Sequence, residues 1–86
     1  MNGDLQGPPS RAEIDEESRR VRKLRIVVHL AMDVIAQGQL RIEEAYEMAS
    51  AARRVAEQLF PGKGDTFDLI YRPKFQRLIK EVYRRQ

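Results

Sequence analysis

The single histidine is the side chain in this sequence best suited to exchange a proton near neutral pH. His29 lies four residues before Asp33, and on a helix this spacing would let the carboxylate orient the imidazole. A general base also needs a nucleophile or substrate pocket and partner groups, and the neighbouring sequence indicates none of these. We therefore predict that the protein is not an enzyme.

Metal and cofactor sites are equally poorly supported by the residue types. Cysteine is absent, which excludes disulfides, thiol chemistry and cysteine-ligated zinc. The acidic clusters at residues 15–17 and 43–47 lack the loop spacing of calcium sites. The glycine-rich stretch 62–66 lacks the first glycine of a phosphate-binding loop, and no strand pattern precedes it. We expect no metal, no cofactor and no small-molecule substrate.

The last segment of the chain is rich in positive side chains, with Glu81 as its single acid. A positive third helix is typical of helix-turn-helix proteins that bind DNA. The connection before it, however, contains Pro61, two glycines and Pro73, which does not match the tight turn of that motif. We keep nucleic-acid binding as the alternative function, carried by Lys74, Arg77, Lys80 and Arg84.

The stretch from residue 21 to residue 36 is apolar around most of a helix. Plotted at 100° per residue, its apolar positions cover about 240° of the circumference. This is wider than a surface helix needs, so the helix is predicted to be central in the fold or covered by a second protein. The apolar residues hardest to cover within so small a domain are Ile26, Leu30 and Val34.

These observations favour a small protein-interaction module over a nucleic-acid binder. Tyr71 and Tyr83 are further candidates for the same interface. The partner is predicted to be another protein or a second copy of the chain, because symmetric dimers are the commonest oligomers. The sequence does not indicate a more specific role.

Local signals predict where the helices begin and end. Ser10 and Glu13 form a capping box that begins helix 1 at Arg11, and Gly38 ends it. Helix 2 is predicted over about residues 42–60, with a stripe of alanines inside and charged residues such as Arg53 on the solvent side.

The third helical segment contains a proline. A short turn is predicted from about Thr66 to Tyr71, followed by a longer helix with Pro73 at its first position. A single kinked helix is the alternative, because Phe67, Tyr71 and Phe75 keep helical spacing across the proline.

The predicted fold is an all-α three-helix bundle with a long central first helix and a third helix broken near Pro73. Residues 1–10 are predicted to form a disordered leader and residues 11–86 a single helical domain. The sequence has no secretory signal and no apolar run long enough to span a membrane, which predicts a soluble, cytoplasmic protein. The predicted core residues are Val21, Leu24, Val28, Ala31, Ile35, Ala45, Ala49, Ala52, Ala56, Leu59, Phe67, Phe75, Leu78 and Val82.

Overall fold

The computed structural model describes residue 8 and residues 10–84, and all regular secondary structure in this part of the chain is helical. The helices are α1 (Arg11–Ala36), α2 (Ile42–Leu59), α3 (Gly64–Ile70) and α4 (Arg72–Tyr83). The all-helical prediction is confirmed. The predicted count of three helices is wrong, because the third segment is divided into α3 and α4. The predicted leader lies mostly outside the described residues.

Both ends of α1 follow the local signals. The Glu13 backbone N–H donates to the Ser10 hydroxyl at 3.1 Å, and the Ser10 N–H donates to the Glu13 carboxylate at 2.8 Å. The helix ends at Ala36, and Gly38 has a φ of 71°. This left-handed conformation is open to glycine at little cost and stops a helix. The capping box and the glycine stop are therefore confirmed.

Helix α2 begins without a capping side chain. The backbone N–H of Arg41 instead donates to the Glu44 carboxylate at 2.8 Å, which satisfies one donor at the helix start. The buried face of α2 consists of Ala45, Ala52 and Ala56. Side chains this small allow the axes of neighbouring helices to approach closely.

The chain breaks between α3 and α4 at Tyr71, which has φ −103° and ψ −29°. Helix α4 begins at Arg72, one residue earlier than predicted, so that Pro73 is its second residue. A proline in the first turn costs no intrahelical hydrogen bond, because the N–H groups there have no partner within the helix. The broken arrangement, not the single kinked helix, is the one observed.

The core combines residues from all four helices. Val28, Ile35, Phe75 and Ile79 are each at most 2% exposed. Ile79 was not among the predicted core residues. Its neighbour Leu78 was predicted to lie in the core, but Leu78 is half-buried. The other buried hydrophobic residues are Ala31, Ala45, Ala52, Ala56 and Phe67, all of them predicted. The predicted core residues that are only half-buried also include Leu24, Ala49, Leu59 and Val82.

Helix α1 is the longest helix, with 26 residues, but it is not central. It packs against α2 and α4 and makes no contact with α3, whereas α2 and α4 each pack against all the other helices. Residues 11–19 are all exposed, and the molecule measures 59 × 20 × 17 Å. Where α1 leaves the bundle, the Arg20 guanidinium lies 5.7 Å from the centre of the Phe60 ring. Val21 lies at this exit and is 38% exposed, so its predicted place in the core is wrong.

Candidate functional site

A strip of apolar side chains on α1 faces away from the core. Ile26 is 52% exposed and Leu30 is 59% exposed, and both lie about 160° around the helix from the buried Val28. Val34 and Val27 adjoin them and are half-buried, and Val27, at the edge of the strip, also packs against the core. These four residues are called the α1 strip below. The three residues predicted for an interface on helix 1 thus lie together on one surface.

Charged side chains border the α1 strip. Lys23 lies one turn before Ile26, and Asp33 lies one turn after Leu30. Both are exposed, and neither forms an ion pair with another residue of the range 10–84. An apolar centre with a charged, solvated rim is the usual composition of a protein interface.

The two tyrosines proposed for the same interface lie elsewhere and are engaged within the chain. The Tyr71 ring is half-buried, with its centre 5.1 Å from that of Phe67. The Tyr83 hydroxyl donates to the backbone carbonyl of Leu40 in the connection between α1 and α2. The structure therefore does not bring Tyr71 or Tyr83 next to the α1 strip.

Three basic residues of α4 and the basic residue that follows it form one exposed face. Within residues 10–84, none of them takes part in an ion pair. At 100° per residue they span about 120° of the helix, on the side opposite Phe75 and Ile79. The residues of this face, called the α4 basic face below, are Lys74, Arg77, Lys80 and Arg84.

A groove of about 460 Å³ opens between α2, α3 and α4. Its lining includes the core residues Phe67, Phe75 and Ile79, together with exposed polar residues such as Ser50 and Gln76. Its size would admit a side chain or a small ligand. The groove was not foreseen from the sequence, because it depends on how three helices pack.

An ion pair joins α2 to α3 at the edge of this groove. The Arg53 Nε donates to Asp68 Oδ1 at 2.8 Å. This hydrogen bond, together with the positive charge of Arg53, lowers the pKa of Asp68, and the same hydrogen bond raises the pKa of Arg53. Arg53 was predicted to lie on the solvent side of helix 2, but it is half-buried. Its partner lies 15 residues away, which no helical spacing rule detects.

The residues considered for proton transfer do not form a dyad. His29 and Asp33 are both exposed, and no hydrogen bond or ion pair joins them. Neither residue lines the groove between α2, α3 and α4.

Other kinds of site were sought in the same part of the chain. Among the described residues, no three histidine or acidic side chains lie close enough together to hold a metal ion. No helix formed by these residues has the length and apolar composition needed to cross a membrane. In comparisons with known proteins, no family model matches the chain, and no significant match is found among curated proteins or solved structures.

Proposed function

We propose that this protein is a non-enzymatic helical module that binds another protein through the α1 strip. The observation that carries the proposal is that Ile26 and Leu30 are more than half exposed on neighbouring turns of the longest helix. Burying the exposed part of each side chain against a partner would gain about 1–2 kcal/mol, roughly half of the gain for a side chain that starts fully exposed. A contiguous apolar surface of this kind commonly marks an interaction site.

The shape of the strip indicates how a partner would bind. Ile26, Leu30 and Val34 follow the i, i+4, i+8 spacing of a helix face, and a helix presents a convex surface. A convex apolar helix face fits into a groove on the other protein. Lys23 and Asp33 at the rim would then set the orientation, because charged rims contribute more to specificity than to affinity.

Site-specific photo-crosslinking in cells that express the chain tests this proposal. A photoreactive side chain at position 30 is compared with the same side chain at position 54, an exposed site on α2. We expect discrete protein adducts from position 30 only, and their loss when Ile26→Asp is added. Equal adducts from both positions, or none from position 30, would contradict the proposed interface.

Nucleic-acid binding is the second candidate, favoured by the four unpaired cations of the α4 basic face. Fluorescence anisotropy with duplex DNA and with RNA, at several salt concentrations, measures it directly. If all four cations contact phosphates, log Kd rises with log salt concentration with a slope of up to about 3.6 for DNA. The variant R77E/K80E should lose binding, whereas R54E, with a charge reversed elsewhere, should not. A chain that fails to bind at low salt is not a nucleic-acid binder.

A further inference from the structure

The first half of α1 has a separate apolar face, about 170° around the helix from the α1 strip. Ile14 and Val21 lie two turns apart on this face and are 50% and 38% exposed. They line a shallow groove of about 430 Å³ along the helix. The arm face, as this surface is called below, comprises the groove-lining residues Ile14, Glu17, Ser18, Val21, Arg22 and Arg25. It also includes the exposed Asp15, which borders the groove about 20° around the helix from Arg22.

Acidic and basic residues occupy separate stretches along this half of α1. Residues 11–17 contain four acids and one base, and residues 19–25 contain five bases and no acid. The ion pairs of Glu16 with Arg19 and Arg20, at 2.9 and 3.4 Å, lie on the other side of the helix from Ile14. The charged residues of the arm face form no ion pair within residues 10–84. The arm face therefore carries two unpaired acids followed by two unpaired bases.

We infer that the arm face binds the arm face of a second copy of this chain, with the two helices antiparallel. A two-fold axis near Ser18 would set Asp15 opposite the partner's Arg22 and Ile14 beside the partner's Val21. Each acidic half would then meet a basic half. A parallel pair would instead set acids against acids and bases against bases, which is unfavourable.

A second copy fits this face because the charge pattern complements itself. In a two-fold symmetric interface, the same surface of each subunit binds itself, so that surface must carry both the acids and the bases that pair. The arm face carries acids first and bases second along the helix, which is the order that an antiparallel pair needs. The two helix dipoles also favour the antiparallel arrangement, because opposite helix ends then lie side by side. The interface uses none of the α1 strip, so the inference does not rest on the proposed function. The interface involves one helix of each subunit and is smaller than a standard interface, so we expect a weak dimer that forms only at high protein concentration.

Sedimentation velocity over a range of concentrations and salt tests the inference. At high concentration and low salt, the wild-type chain should reach twice its monomer mass of 10.0 kDa. Raising the salt tenfold should weaken the association by about tenfold or more. The variants D15R/E17R and R22E/R25E should each be monomeric alone, because like charges then face each other. An equimolar mixture of the two variants should recover the dimer, and circular dichroism confirms that each variant stays folded.

Two control variants locate the interface. K23E changes charge on the opposite side of α1 and should dimerise as the wild type does. Leu30→Ser alters the α1 strip and should also leave the dimer intact. A chain that stays monomeric at millimolar concentration and low salt overturns the inference, as does a variant mixture that stays monomeric. Dimerisation lost with Leu30→Ser but kept in D15R/E17R would overturn the arm-face dimer while leaving the proposed function standing.

Discussion

Val28 and Ile26 lie two residues apart on α1 and meet opposite environments. Val28 is 2% exposed and contacts the core, whereas Ile26 is 52% exposed and belongs to the α1 strip. The same substitution at the two positions therefore separates the effect of burial from the effect of helix propensity.

Val28→Asp should lower the free energy of unfolding by about 3 kcal/mol or more, because it places an unpaired carboxylate in the core. Ile26→Asp should change it by less than about 1 kcal/mol, because the new carboxylate stays in water. Urea denaturation of the two variants beside the wild type measures the difference. Equal stability of the two variants would show that the core face of α1 is misassigned.

The ion pair of Arg53 and Asp68 makes part of the stability depend on pH. The hydrogen bond from Arg53 lowers the pKa of Asp68 in the folded state. A carboxyl group with a lowered folded-state pKa contributes stability above its unfolded pKa of about 3.9, and this contribution is lost as the pH falls through the folded value. Asp68→Asn should therefore destabilise the protein at pH 7, and the difference from wild type should shrink below about pH 4. Thermal melts at several pH values test this, and a constant difference down to pH 2 would contradict it.

At the scale of single residues, the sequence predicted most of the core but misplaced some of its members. Spacing alone cannot choose between Leu78 and Ile79, which are adjacent apolar residues, and Ile79 is the buried one. It also cannot show that α1 leaves the bundle near Arg20, so that Val21 is partly exposed. Ile26, Leu30 and Val34 were found because they lie outside the stripe that faces the other helices.

At the scale of the elements, the first turns of α1 stand without tertiary support. Residues 11–19 are exposed, so the helix there depends on the Ser10 and Glu13 capping box and on the ion pairs of Glu16. A short helix without packing is marginal in water. We expect this part of α1 to open more readily than the bundle.

Ser10→Ala should weaken the start of α1 by about 1 kcal/mol, because it removes the capping hydroxyl. Hydrogen exchange should accelerate for the backbone amides near the start of α1, whereas the midpoint of global unfolding should hardly move. Exchange measured by NMR at low protein concentration, where any dimer dissociates, tests this. A large fall in the unfolding midpoint would mean that the first turns belong to the cooperative core.

Helix boundaries were predicted well because their causes are local. The capping box, Gly38 and Pro73 act within a few residues, and the observed ends lie close to the predicted ones. The division of the last segment into two helices was foreseen in outline, as a short turn followed by a helix. That the short turn is itself the helix α3 depends on packing, because Phe67 is buried in the core.

At the scale of the whole molecule, the predicted central position of helix 1 was the main error. We predicted that the wide apolar band of residues 21–36 is enclosed by other helices, but Val21, Ile26 and Leu30 are exposed. Helices α2 and α4 occupy the centre instead. Alanine-rich α2 takes that place because its small side chains let other helices approach it closely. The arrangement of helices depends on contacts distant in sequence, which periodicity does not report.

A chain that begins at Arg19 should keep the bundle, because the removed part buries nothing in it. Its melting temperature should lie within a few degrees of that of the full chain when both are monomeric. The truncated chain should also stay monomeric at concentrations where the full chain pairs, since Ile14, Asp15 and Glu17 are gone. Calorimetry and sedimentation together measure both outcomes, and a truncated chain that is unfolded would contradict the separation of the arm from the bundle.

The largest fully buried side chains are Ile35, Phe75 and Ile79, and two of the three belong to α4. On the ribosome, α4 is the last of the four helices to emerge. Until it docks, the surfaces of α1, α2 and α3 that α4 covers remain open to water, where chaperones and proteases recognise apolar surface. A chain whose translation stops before Phe75 should thus be degraded more rapidly than a chain that includes α4.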